Sequence, residues 1–237
     1  MFSVMYQHRS VRSVLRKGLI VFDRMRYAVR RLLGNPYGTA TFQYEGKTFS
    51  YLFHPYNHTW LNERAVEVPI VLDFLRSPSV PADRILEVGN TLSHYDDPGH
   101  VVVDKYEVCR FRPVLNEDVL DYAPGRRFSR IVSISTLEHV GWDELPRRPE
   151  AVLPVFPKLR SLLAPDGQAL ITIPVGYHLG LDEALRSDAI AGASIRYMKR
   201  LNAGNRWAEC SAAEAWACRF GTPYPYANAM AFIYLAP

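Results

Sequence analysis

Acids and histidines stand where short apolar runs of this sequence end, and that is where an α/β sheet presents reactive side chains. Glu87 lies in "RILEVG", and Asp104 closes the next apolar run, "HVVVDKYE", 17 residues later. An acid at the end of a second parallel strand is placed to accept hydrogen bonds from ribose hydroxyls. The turn between the two runs, "VGNTLSHY", holds one glycine, Gly89, followed by Asn90, Thr91 and Leu92. A pyrophosphate needs several close backbone N–H groups and hence several glycines. A single glycine suits a ligand that brings no phosphate. Glu138 and His139 follow "RIVSIS", and Tyr177 and His178 follow "QALITIPVG". A histidine at such an edge can remove a proton from an acceptor, a contribution of ~10²–10⁴-fold. His139 is the first candidate base and His178 the second. The alternative for His139 is a loop histidine that caps a helix or packs on Trp142. Glu138 orients His139 or favours a helix N-terminus.

The elements that must position these residues can be read from periodicity. "RILEVG", "HVVVDKYE", "RIVSIS" and "QALITIPVG" are strands, with the helical stretch "EAVLPVFPKLRSLL" before the last of them. Such runs, separated by helical or loop segments, predict a mostly parallel sheet buried on both faces. The first turn is read as strand–turn–helix. "NAMAFIYLA" predicts a closing strand, placed as an antiparallel edge. Upstream, alternation around Glu45-Gly46 predicts a β-hairpin with a type I′ or similar turn, and Asn62 is placed to cap a helix from Glu63 to about Leu75. "HPYNHTWLNER" gathers Tyr56, Asn57, Trp60 and Arg64, aromatic and polar groups of the kind that hold a sugar, in a segment able to act as a lid. "RYMKRLNAGNRW" offers Arg196, Lys199, Arg200 and Arg206 for a phosphate or carboxylate, or else as a solvated helix face. Three parts result: residues 1–36, a basic amphipathic arm; 37–80, a hairpin and helix forming a cap; and 81–237, a Rossmann-like domain.

In their order, "ILEVGN", "VVVDKYE", "LNEDVLDYAP", "RIVSISTLEHVGWDE" and "LRSLLAPDGQALITIPVG" resemble the motifs of class I S-adenosylmethionine-dependent methyltransferases, over roughly residues 84–176. Some bacterial members modify sugars and cell-surface glycans. The resemblance implies S-adenosylmethionine as cofactor, which carries no phosphate. It places Glu87, Gly89 and Asn90 in the loop along the methionine part, and Asp104 with Lys105 at the ribose. Asp118 falls beside the adenine amino group with Val119 on the ring, and Ser135 and Thr136 near the methyl group. It implies methyl transfer to a hydroxyl of a sugar or related small molecule, with a histidine base. The family's usual second glycine is replaced by Asn90. The other readings are a non-catalytic methyltransferase-fold module that docks a partner or membrane, and a nicotinamide-dependent dehydrogenase, disfavoured by the missing phosphate loop.

Composition bounds the partners. The net charge is +4, but residues 1–34 hold eight Lys/Arg against one acid, so that segment is +7 and the remaining 203 residues are −3. An acidic body argues against nucleic acid as ligand. The arm's stripe of Val11, Leu15, Leu19, Phe22, Met25, Val29 and Leu32 opposite its arginines suits anionic lipid, a partner protein or the protein's own body. No signal peptide is read at the N-terminus, and Cys109, Cys210 and Cys218 are read as free thiols, so a cytoplasmic protein is expected, with the basic arm offering a peripheral membrane contact. No metal-ligand spacing is seen.

Overall fold

The computed structural model describes residues 25, 28, 29, 32–35, 37–76, 78–96, 99–109 and 112–237. The basic arm lies almost wholly outside them.

Two antiparallel strands open the described chain, β1 (Thr41–Tyr44) and β2 (Lys47–Ser50). Glu45 and Gly46 between them have φ of +46° and +74°, the pair of positive values a type I′ turn requires. A 3₁₀ segment (Tyr56–Leu61) leads to helix α1 (Arg64–Arg76). Asn62 Oδ1 accepts from the Arg64 N–H at 3.1 Å, the expected cap. Pro69 sits inside α1 and has no N–H to give to the carbonyl of Ala65. The Leu52 N–H takes that carbonyl instead at 2.9 Å, which ties the strand segment to the helix.

The main sheet contains β3 (Ile85–Val88), β4 (Val101–Val103), β5 (Phe128–Ile134), β6 (Leu163–Pro174), β7 (Ser194–Arg200), β8 (Trp207–Cys210) and β9 (Ala229–Leu235). Their order is β4-β3-β5-β6-β9-β7-β8. The first four are parallel, and β9, β7 and β8 are each antiparallel to their neighbours. This is a mixed, Rossmann-like α/β sheet. The closing strand is antiparallel, as expected, but it runs inside the sheet between β6 and β7 and not at an edge. "RYMKRLNAGNRW" is also corrected: it forms most of β7, a turn and the start of β8, not a helix.

Alternation explains the two-sided burial. Ile131 of β5, Ile171 of β6 and Ile233 of β9 face α2 (Val155–Leu162), α3 (Leu179–Arg186) and α4 (Ala212–Trp216). Val132, Leu170 and Phe232 face α1 and the hairpin. Between β3 and β4 the sequence reading is corrected again. The described residues between 89 and 100 contain only a 3₁₀ turn, Leu92–His94, and no crossover helix. Past β4, Leu115 makes a parallel bridge to Val103 and so brings Asp118 and Val119 to the ligand edge. Among the described residues no helix is long and apolar enough to cross a membrane.

Candidate functional site

The chain order reverses across β3: β4 lies on one side of it and β5 on the other. Ligands of open α/β sheets bind beyond the carboxyl ends of the strands at such a switch point. Two adjoining clefts lie there, of about 450 and 430 Å³. They share Asp104, Tyr106, Thr136 and His139, so the four residues mark their junction.

The first cleft has apolar walls from Val88, Val103, Val119, Leu137, Val140 and Val155, with Asp104 and Asp118 on its rim. Asp104 uses Oδ1 to accept from the N–H groups of Tyr106 and Glu107, at 2.9 and 2.7 Å. That fixes the carboxylate and leaves Oδ2 for a ligand hydroxyl. Asp118 Oδ2 accepts from Lys105 Nζ at 3.0 Å and Oδ1 from the Leu120 N–H at 3.0 Å. Burial would raise the Asp118 carboxyl, but these donors win and hold it below its ordinary range. Lys105 is raised in turn, chiefly by its bond to Asp118. Gly89 has φ +88°, and a Cβ there would sit 2.3 Å from Thr136 Oγ1. Only glycine lets the β3 turn close against the β5 turn.

Glu87 does not face either cleft, which corrects its assignment to cofactor contact. It is fully buried, and Oε1 accepts from the N–H groups of Thr91 and Leu92, each at 2.9 Å. Oε2 meets His100 Nε2 at 2.7 Å. A carboxylate thus holds a turn that has a single glycine and, among the described residues, no following helix.

The second cleft is lined by Tyr56, Asn57, Arg64, Asn90 and Ser135, together with Thr91, His94 and Glu107, which the sequence reading did not single out. Trp60 is a correction. It is buried, packed on Phe53 and His58, and belongs to the core under the 3₁₀ segment. Arg64 donates through Nη1 to Glu67 and, at 3.2 Å, to the Ile134 carbonyl. Burial opposes the charge of this guanidinium, but Glu67 and Glu63 more than compensate and raise its pKa. Glu67 Oε2 accepts from Ser135 Oγ at 2.9 Å and Thr172 Oγ1 at 2.8 Å. Ser135 has φ +39°, so its turn is held by this network in a conformation that L-residues avoid. None of Arg196, Lys199, Arg200 and Arg206 lines either cleft.

His139 stands at the junction with its Nδ1 2.6 Å from Asp143 Oδ2. Tyr177 OH donates to the same carboxylate oxygen at 2.8 Å. Burial would raise Asp143, but its bonds from His139 and Tyr177 hold it below its ordinary range. Tyr177 is pushed up to about 12, by burial first and then by Asp143. Tyr177 lines neither cleft, and its hydroxyl contacts Asp143 and His139. Asp143 was missed, although the i,i+4 spacing from His139 in "HVGWD" was a readable sign. Glu138 is buried, with Oε1 3.7 Å from His139 Nε2 and Oε2 without a hydrogen-bond partner. Burial raises its carboxyl well above the ordinary range.

His178 is corrected from candidate base to helix cap. It is fully buried, its Nδ1 accepts from the Leu181 N–H at 2.9 Å, and its ring lies 4.8 Å from that of Trp142. Asp182 on the same turn accepts from the Gly176 N–H at 2.9 Å and has its Oδ1 buried without a partner. Burial raises its carboxyl to about 6 from 3.8. A raised acid stabilises below its unfolded value, and that contribution is lost as pH rises through about 6. Asp182→Asn keeps an acceptor for Gly176 and removes the buried charge. We predict a stabilisation of ~1–3 kcal/mol at about pH 8 that vanishes near pH 4. Thermal melts at the two pH values test it, and an equal shift at both would refute it.

Among the described residues no group of three or more His, Cys, Asp or Glu could hold a metal ion. No family model and no curated protein matches the sequence. Among solved structures it is similar to the glycopeptide N-methyltransferase MtfA complexed with sinefungin (12% identity, 71% of this chain and 93% of that one, TM-score 0.39). It is also similar to the N-methyltransferase NodS from Bradyrhizobium japonicum (11%, 70% and 82%, TM-score 0.43). A third is a TehB-like SAM-dependent methyltransferase from Corynebacterium glutamicum (13%, 69% and 85%, TM-score 0.40). At this distance the likenesses assign no residue, and the roles above rest on this chain.

Proposed function

We propose that this chain is an S-adenosylmethionine-dependent methyltransferase acting on a hydroxyl of a sugar-like small molecule. The observation that carries this reading is the position of the His139–Asp143 pair, at the junction of an apolar cleft with strand-end acids and a polar cleft. The first cleft suits adenosine: valines for the ring, Asp118 at its rim, Asp104 Oδ2 for the ribose. When bound, the cofactor supplies an electrophilic methyl group on a sulfonium.

The chain's own residues then hold the acceptor and move a proton. Asp143 accepts from Nδ1–H of His139, which fixes the tautomer and leaves the Nε2 lone pair as base. An alcohol is a weak nucleophile at neutral pH, so removal of its proton by Nε2 matters more than it would for an amine. Tyr56 and Asn57 present an aromatic face and an amide to an acceptor in the second cleft, and Arg64 and Ser135 close it from the other side. Fixing the acceptor beside the first cleft supplies the alignment that an in-line displacement needs.

Calorimetric titration with S-adenosylmethionine, S-adenosylhomocysteine and NAD tests the cofactor assignment. Micromolar binding of the first two and none of NAD is expected. Asp104→Ala should weaken that binding at least tenfold, ~1.4 kcal/mol, by removing charge-assisted hydrogen bonds. Unchanged affinity in the folded variant would sink the ribose assignment. Absence of binding by the wild type would favour the non-catalytic module.

A further inference from the structure

The large apolar side chains that this chain leaves in water gather at one edge of the sheet. Val108 and Leu145 are 81% and 93% exposed, and Tyr106, Leu179, Leu201 and Tyr226 are exposed with them. Tyr106 and Val108 follow the end of β4, and Leu179 opens α3 just past the end of β6. The Tyr106 hydroxyl donates to Glu144 Oε1 at 3.2 Å, which brings Leu145 to the same rim. Because β9 is antiparallel to β6, and β7 to β9, β9 begins and β7 ends at this edge too. Leu201 directly follows β7, and Tyr226 precedes β9. Arg200 ties both to the cap through the carbonyls of Leu61 and Pro225. Among the described residues no exposed large apolar side chain stands at the opposite edge, where β3 to β6 begin. Apolar residues scattered singly on a surface are ordinary, but a set gathered round two clefts marks an interaction face.

The basic arm joins the fold at this same edge. Tyr37, just past the +7 stretch of residues 1–34, is buried, and its hydroxyl accepts from Asn205 Nδ2 at 2.8 Å. That nitrogen also donates to the carbonyls of Thr59 and Asn62, at 3.1 and 2.7 Å, in the cap segment beside the second cleft. Acids on the rim do not cancel the arm's charge, because they are paired within the chain. Asp118 is bonded to Lys105, Glu144 to Arg148 at 3.2 Å, and Asp143 to His139. Arg147 lies over the Trp142 ring at 4.7 Å, two residues from the exposed Leu145.

We propose that the edge holding the two clefts docks on an anionic phospholipid bilayer. Attraction of the arm to acidic headgroups brings the protein to the surface, and the tips at Val108, Leu145 and Leu201 enter the headgroup layer. Charge and apolar burial act together there, which is what firm attachment to a membrane surface requires. The clefts then open toward the headgroups. With the methyl transfer proposed above, a hydroxyl on a lipid headgroup is the acceptor within reach. Docking itself needs no cofactor, so it stands or falls apart from that reading.

Co-sedimentation of the full chain with vesicles tests the docking. The vesicles are pure phosphatidylcholine, or phosphatidylcholine with about one-third phosphatidylglycerol. Wild type should bind the anionic vesicles at least ~10-fold more tightly than the neutral ones, and added salt should weaken that binding. Val108→Glu/Leu145→Glu should lower it at least ~10-fold, because carboxylates replace apolar tips against a negative surface. Ser161→Glu/Gln168→Glu puts the same charge at the opposite edge and should cost ~2-fold at most. Melts confirm that both variants are folded. Equal losses in the two double variants would show that net charge alone matters and would overturn the edge as the docking face. So would a Val108→Glu/Leu145→Glu protein that binds like wild type. Wild type that binds neither vesicle, or both alike, would overturn the proposal and leave the edge to a protein partner.

Discussion

His139→Ala is expected to lower turnover ~10²–10⁴-fold while S-adenosylhomocysteine binds within ~2-fold of wild type. The expectation follows from the position of the ring. His139 lines both clefts, and its side-chain polar contacts are to Asp143, Tyr177 and Glu138, not to Asp104 or Asp118. On the proposed reading, loss of the ring removes the base and leaves Asp104 and Asp118, the groups proposed to hold the cofactor, in place. Asp143→Asn should cost less, at least ~10-fold, because the imidazole remains while its tautomer is no longer fixed. Tyr177→Phe removes only a donor to Asp143 and should cost least of the three. The assay is S-adenosylhomocysteine release with a panel of hydroxylated acceptors, beside calorimetry of each variant. Retained turnover in His139→Ala would pass the role to another group. The buried Glu138 is next in line, with Oε1 3.7 Å from His139 Nε2. A loss of cofactor affinity equal to the loss of turnover would make His139 a binding residue.

The parallel core was readable because strands buried on both faces must be apolar at successive positions, and "RIVSIS" and "QALITIP" are nearly so. The hairpin was readable because Glu45-Gly46 can adopt two positive φ values in a row. The β7–β8 hairpin was not, since Arg196, Lys199 and Arg200 among apolar residues imitate the polar face of a helix. Their actual partners are distant in sequence: Arg196 bonds Glu45 at 3.0 Å, and Arg200 bonds the carbonyls of Leu61 and Pro225 at 2.9 and 3.0 Å. The interior position of β9 depends on pairing with both β6 and β7, which no local pattern encodes. At the site, residue types at strand ends located Asp104 and His139 on the clefts, and the resemblance to a known family located Asp118. The same logic misdirected Glu87 and His178, because a polar residue at a strand end can turn inward to hold the backbone as readily as outward to a ligand. Arg64 was legible as a polar group of the cap, but the carboxylates that surround it come from α1 and the β5 turn and meet only in the fold.

The same cluster supports the largest expected effect on stability. Arg64→Met should destabilise the protein by ~3–5 kcal/mol, because it leaves a buried carboxylate without its counter-charge. Glu67 is fully buried, and Glu63 and Glu138 are nearly so. Burial already pushes the Glu63 and Glu138 carboxyls upward, which leaves Glu67 as the carboxylate that Arg64 pairs with directly. Removing the acid as well should recover much of the loss. In Arg64→Met/Glu67→Gln the amide oxygen still accepts from Ser135 and Thr172, and no buried charge is left unpaired. Denaturant titration of the two single variants and the double variant gives the coupling energy. A double variant as unstable as Arg64→Met would show that packing, not charge, sets the cost. A single Arg64→Met within ~1 kcal/mol of wild type would show that water reaches the cluster and screens it. The pair also has a directional role. Arg64 bonds Ile134 and Glu67 bonds Ser135, so this one ion pair fastens the first turn of α1 to the end of β5, where the two clefts meet. Breaking it should therefore loosen the cap over the second cleft first. Amide exchange would show this as faster exchange in residues 56–67 than in β5 and β6 of the double variant, even where its global stability has recovered.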